Sequence, residues 1–160
     1  MEYSAESQLI FAKGQVAPIK PRTILELELL GSVIGKRATL SACNALHLAI
    51  TKSIVWTDAI TVLQWLSSHR IQPCFVQNQI DELCKAINIS FRCTLSNANP
   101  ADILSRGQKA SILKDNELWR RGPHWLERES LWPALPPNVV TDRKPVGGAA
   151  IMCVRYGYDR

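Results

Sequence analysis

No stretch of this 160-residue chain approaches the ~20 consecutive uncharged apolar residues of a membrane span. Membrane insertion is therefore not expected. The first twenty residues lack a basic start, an apolar middle and a small-residue cleavage site, so the sequence gives no support for secretion. The five cysteines are odd in number and widely spaced, without a CxxC pair, which argues against both a disulfide framework and a zinc knuckle. A reducing, intracellular setting fits better. His47, His69 and His124 lie too far apart for a zinc signature and read as structural or exposed. Neither "DTG" nor "DSG" occurs, which excludes aspartic peptidase chemistry, and no internal repeat or low-complexity tract is present.

What the chain does have is 46% hydrophobic and 21% charged residues, enough for one domain with a real core. Its net charge is +5, with ten basic against eight acidic residues in 1–107 and nine against six in 108–160. That excess permits a nucleic-acid partner without demanding one.

Hydrophobic spacing divides the chain. "SQLIFAKGQV" (7–16) reads as an edge-like strand running into a turn before Pro18 and Pro21. Residues 24–50 keep Leu27, Leu30, Ile34, Ala38 and Ala45 on a helical face, and length decides for helix. "KSIVWT" (52–57) is short, apolar and β-branched, and it is followed by a helix in which Ile60, Leu63 and Leu66 recur behind Asp58. Residues 75–87 read as a further helix, 88–96 as a strand, and 97–107 as a turn launching a short helix that stops at Gly107. This order is α/β. We divide the chain into a domain over 1–107, a Trp/Pro-rich connector over 108–137 and a linker or disordered tail over 138–160. In the connector, Trp119, Trp125 and Trp132 read as packing anchors, with base stacking as their other use.

Three acids stand at element junctions: Glu28 near the start of the long helix, Asp58 between strand and helix, Asp102 at the start of the last helix. In an α/β sheet, strand ends and helix starts gather along the edge where ligands bind. Converging carboxylates repel one another unless a hard divalent cation with oxygen ligands joins them. Ordinary roles remain open beside that one: Asp58 and Asp102 as helix caps, Glu28 as an acid favoured by the helix dipole. Lys13, Lys20 and Arg22 cluster near the first turn and Arg106 lies close to Asp102, so all four are candidates for phosphate contacts.

The strings "LIFAKGQVAPIK", "LELLGSVIGKR", "VWTDAITVLQWL", "NPADILSRG" and "LWRRGPHWL", in this order across residues 8–133, resemble the ribonuclease H-like region of the Pol polyprotein of BEL/Pao retrotransposons. The same region also carries the label Pao retrotransposon peptidase. The resemblance implies a ribonuclease H-like mixed sheet whose acids bind two magnesium (or manganese) ions and cleave the RNA strand of an RNA–DNA hybrid. By motif it assigns Glu28, Asp58 and Asp102 as catalytic and metal-binding acids. It implies further partners in the reverse transcriptase and integrase segments of Pol, and a location in the cytoplasm, in a retroelement particle or in the nucleus.

Two departures qualify what this chain can do alone. Leu25 and Glu26 stand where the family has Pro-Arg. The family's first catalytic Asp lies on a strand upstream of the segment resembling "LIFAKGQVAPIK", and here only Met1 to Gln8, without an Asp, precede that segment. The expectation is a sheet lacking its first two strands, a cation bound weakly or not at all, and little nuclease activity. The alternative is a non-catalytic scaffold that binds nucleic acid or neighbouring Pol segments.

Overall fold

The computed structural model describes residues 6–47, 52–85, 89–137, 139 and 151–155. In chain order the longer elements are α1 (Ile24–Leu46), β1 (Lys52–Thr57), α2 (Ile60–Ser67), α3 (Cys74–Cys84), β2 (Ile89–Cys93) and α4 (Pro100–Ser105). Short helices α5 (Ala110–Lys114) and α6 (Glu117–Arg121) follow, then 3₁₀ turns at His124–Glu127 and Glu129–Leu131, and finally β3 (Ile151–Arg155).

Why α1 begins where it does is visible in four residues. The Thr23 hydroxyl accepts a hydrogen bond from the Glu26 N–H, while the Glu26 carboxylate accepts one from the Thr23 N–H, which satisfies two donors that a helix start otherwise leaves open. Arg22 adds an ion pair to Glu26 at 3.4 Å. Glu26, one of the departures from the family pattern, thus has a structural role of its own. The helix ends at Leu46, with His47 in the left-handed region at φ 50°. Residues 48–50, the expected last turn, lie outside the described residues.

β1 is the middle strand of a sheet ordered β2-β1-β3. It runs parallel to β2, with Ser53 opposite Ile89 and Thr57 opposite Cys93, so α2 and α3 form the crossover that a parallel pair requires. The two faces of β1 have different covers. On one, Val55 packs with Leu29 and Val33 of α1, Val62, Leu63 and Leu66 of α2, Val76, Ile80 and Leu83 of α3, and Ile89 and Phe91 of β2. On the other, Ile54 and Trp56 meet Trp125 and Leu126 from the connector. Trp125 lies 4.7 Å from Trp56 between ring centroids, and Trp132 lies 5.4 Å away edge-on, both within the range of favourable aromatic pairs. Trp125 and Trp132 are packed against the sheet.

Polar ties hold α1 to α3. Lys36, buried despite its charge, donates from Nζ to the Glu82 carbonyl, and Arg37 grips the Glu82 carboxylate with two bonds of 2.8 Å. Buried ammonium groups require such partners. Arginine's planar fork suits the two carboxylate oxygens.

Two expectations need correction. Residues 7–16 form no strand: this segment touches the rest of the fold through bonds such as Leu9 N–H to the Arg120 carbonyl and Ser7 Oγ to the Arg121 carbonyl. A strand exists only with a ladder partner, and this segment has none among the described residues. Leu9, Ile10 and Phe11 remain roughly half exposed as a result. The tail over 138–160 is not wholly a linker either, because Ile151–Arg155 pairs antiparallel with β1. Without a neighbour there, the second edge of β1 would leave a row of backbone donors and acceptors unpaired.

The turn that delivers the tryptophans rests on Gly122, at φ 75° and ψ −175°. This conformation is almost confined to glycine, and an added Cβ would come within 3.0 Å of Leu126 Cδ2. Gly122→Ala should therefore destabilise the protein by about 1–3 kcal/mol, read as a lower urea midpoint at unchanged slope. An unchanged midpoint would mean that the turn relaxes freely.

Candidate functional site

The parallel pair β1–β2 ends in a short junction where several polar residues collect. The Thr94 N–H bonds the Thr57 carbonyl at 2.7 Å and extends the ladder by one step. The Ala59 N–H bonds the Thr57 hydroxyl at 2.9 Å. This bond bears directly on Asp58. α2 starts at an Ala59 cap without any side-chain capping bond, so Asp58 is not the helix cap that its position offers, and Thr57 steadies the turn in its place.

The Asp58 carboxylate instead faces Glu28 and Cys93. Partial burial, and then the nearby Asp58 charge, hold the Glu28 carboxyl above the usual carboxylate range. The Cys93 thiol is pushed up in the same way, first by burial and then by Asp58. α1 thus crosses the sheet so that an acid from its second turn reaches the end of β1. The arrangement has a chemical meaning: two like charges brought together in a partly dry place favour a proton or a cation between them.

Asp102 sits in the first turn of α4, where Asn99 is the cap through its bond from the Ala101 N–H at 3.1 Å. Its carboxylate pairs with Arg106 at 3.2 Å. Among the described residues, no three His, Cys, Asp or Glu side chains are gathered closely enough to hold a metal ion. The structure brings together Glu28 and Asp58, and it gives Asp102 a basic partner on its own helix.

The basic candidates divide in the same manner. Lys13 and Lys20 are exposed. Arg22 lies with its guanidinium 3.6 Å from the Phe75 ring centroid and pairs with Glu26, so packing already engages it. Arg106 is largely exposed apart from its pair with Asp102. Sequence reasoning did not single out Arg92, on β2 opposite Trp56. Its guanidinium lies 5.2 Å from the Trp132 ring and 5.8 Å from the Trp56 ring, and the strand alternation of "ISFRC" was the available signal.

Raised acid pKa values carry a sign for stability. A carboxyl that the fold holds above its unfolded value, about 4.3 for Glu, is penalised as an anion, so the penalty is complete at neutral pH. It is relieved as the pH falls through the folded value and then the unfolded one. Glu28→Gln is therefore expected to stabilise the protein at pH 7, by less than about 1 kcal/mol because much of the group meets solvent. The gain should fade below the ordinary glutamate range. Thermal unfolding of both proteins between pH 3.5 and 8 checks this, and a gain that grows at low pH would contradict it.

Taken together, the parallel β1–β2 pair, its helical crossover and the missing strands define an α/β ribonuclease H-like fragment. Residues 1–59 match the family model of the Pao retrotransposon-like RNaseH-like domain, and this part of the chain is a Pao-type retrotransposon ribonuclease H-like region. The match includes both Glu28 and Asp58 and stops short of Asp102. Comparison with curated proteins and with solved structures gives no match.

Proposed function

We propose that this chain is part of a nuclease acting on the RNA strand of RNA–DNA hybrids, with Glu28 and Asp58 as paired acids at the end of β1, and that the site is incomplete in this chain alone. One observation carries the reading: Asp58 does not cap its helix and faces Glu28, so two carboxylates accept mutual repulsion at the strand end. Structural economy would not place them so. Their hard oxygen donors suit Mg²⁺ or Mn²⁺, and such a cation, when bound, supplies an activated water and charge stabilisation. Glu28 and Asp58 would hold it. In the same reading Asp102 is a third acid that must leave Arg106 to take part. The exposed Lys13 and Lys20 would meet the hybrid backbone, with Arg106 beside them once it is released.

The alternative, a scaffold that binds nucleic acid or neighbouring reverse transcriptase and integrase segments, draws support from the Asp102–Arg106 pair and from the packed state of Arg22. Mn²⁺ titration and a gel assay on a labelled hybrid separate the readings. The nuclease reading expects weak Mn²⁺ binding that Asp58→Asn and Glu28→Gln each reduce. It also expects hybrid binding that falls steeply with salt, and little cleavage by this chain. Mn²⁺ binding untouched by both substitutions would favour the scaffold. Robust cleavage abolished by Asp58→Asn would show that the site is complete after all.

A further inference from the structure

β1 has two edges, and they are held very differently. β2 joins one through the local crossover, whereas β3 joins the other from far along the chain and in the opposite direction. The β3 register proves that this second edge accepts an antiparallel strand. It also sets Lys52 opposite Arg155, two basic residue types, and like charges directly opposite one another weaken a strand pair. Between its ends β1 is apolar, with Ile54, Val55 and Trp56 all buried beneath the layers on its two faces.

A second copy of β1 can meet that edge by symmetry. A two-fold axis perpendicular to the sheet makes two neighbouring copies of one strand antiparallel and keeps each face on its own side, so opposed residues must have numbers of the same parity. With Val55 opposite Val55 on the axis, Ile54 falls opposite Trp56, Ser53 opposite Thr57, and Lys52 opposite Asp58. Two basic–acidic pairs then stand where β3 supplies a basic–basic one. We propose that the β1 edge covered by β3 is a self-association edge, on which a second copy of this chain pairs its own β1 when β3 leaves, in the order β2-β1-β1-β2. The charge pattern along β1 selects this occupant and this register.

Sedimentation velocity on the full chain tests the proposal. Consecutive N–H groups of a strand point to opposite sides, so Cys153→Pro with Val154→Pro must remove one donor aimed at β1. The double variant should dimerise at least about ten-fold more tightly than the unaltered chain. Adding Lys52→Glu sets an acid opposite Asp58 and should weaken that dimer about ten-fold, and Asp58→Lys in the same chain should restore it. In the chain with its own β3, Lys52→Glu stands opposite Arg155 and should hold the protein monomeric. A double-proline chain that keeps its far-UV spectrum yet stays monomeric at several hundred micromolar overturns the proposal, as does a dimer indifferent to Lys52→Glu. Should the proline variant fail to fold, hydrogen exchange of the unaltered chain decides. Protection of β1 amides that rises with protein concentration supports the pairing, and protection independent of concentration refutes it.

Discussion

Trp56→Ala is expected to destabilise the protein by about 3–5 kcal/mol, a large part of the ~5–15 kcal/mol that holds a typical domain folded. The indole is completely buried in the centre of the middle strand and fills the space between Trp125, Trp132 and Leu126. Its removal leaves a cavity that cannot collapse easily, because the sheet on one side is fixed by hydrogen bonds and the connector on the other by Gly122. Arg92 also loses a ring from its stack. Equilibrium urea unfolding followed by far-UV circular dichroism measures the loss. A cost below about 1 kcal/mol would show that the connector does not pack on the sheet in solution.

The second large effect lies on the opposite face. Leu29→Ala should cost about 2–5 kcal/mol, since Leu29 is fully buried where α1 meets β1, α2 and α3. This position is also one helical turn from Glu28's neighbourhood on the sheet, so a loosened α1 shifts the acid pair as well as the core. The same urea titration reads the stability loss, and the pH dependence of unfolding reads the acid pair. If α1 is anchored by Lys36, Arg37 and Glu82 alone, Leu29→Ala will fall near the bottom of the range and leave that pH dependence unchanged.

Local pattern made most of the central unit legible. The β-branched run of β1, the helical spacing behind it and the alternation of β2 each depend on neighbours a few residues away, and their boundaries agree with the structure to within a few residues. Gly107 ends its helix as expected, at φ 69°. What depends on distant partners was harder to see. β3 has too little periodicity to announce itself, and its pairing with β1 spans nearly a hundred residues. The segment over 7–16 has strand-like residues but no ladder to join. Thr23 and Glu26 did carry a readable signal, the Thr-x-x-Glu spacing of a capping box, which the comparison with a Pro-Arg pattern obscured. Of the candidate acids, Glu28 and Asp58 meet because α1 crosses the end of β1. The pairing of Asp102 with Arg106 four residues later reflects helix spacing, which the sequence contains but which says nothing of whether a more distant acid will compete.

The double cover of β1 also governs access. With helices closing one face of the strand and tryptophans the other, no flat sheet surface is left on which a stiff polymer could lie flush. A visitor to Glu28 and Asp58 has to come in over the tips of the strands, like a rod laid across the rim of a cup. Only the few side chains on that rim can then feel its charge, and the bulk of the protein acts as the handle that holds them at a fixed height.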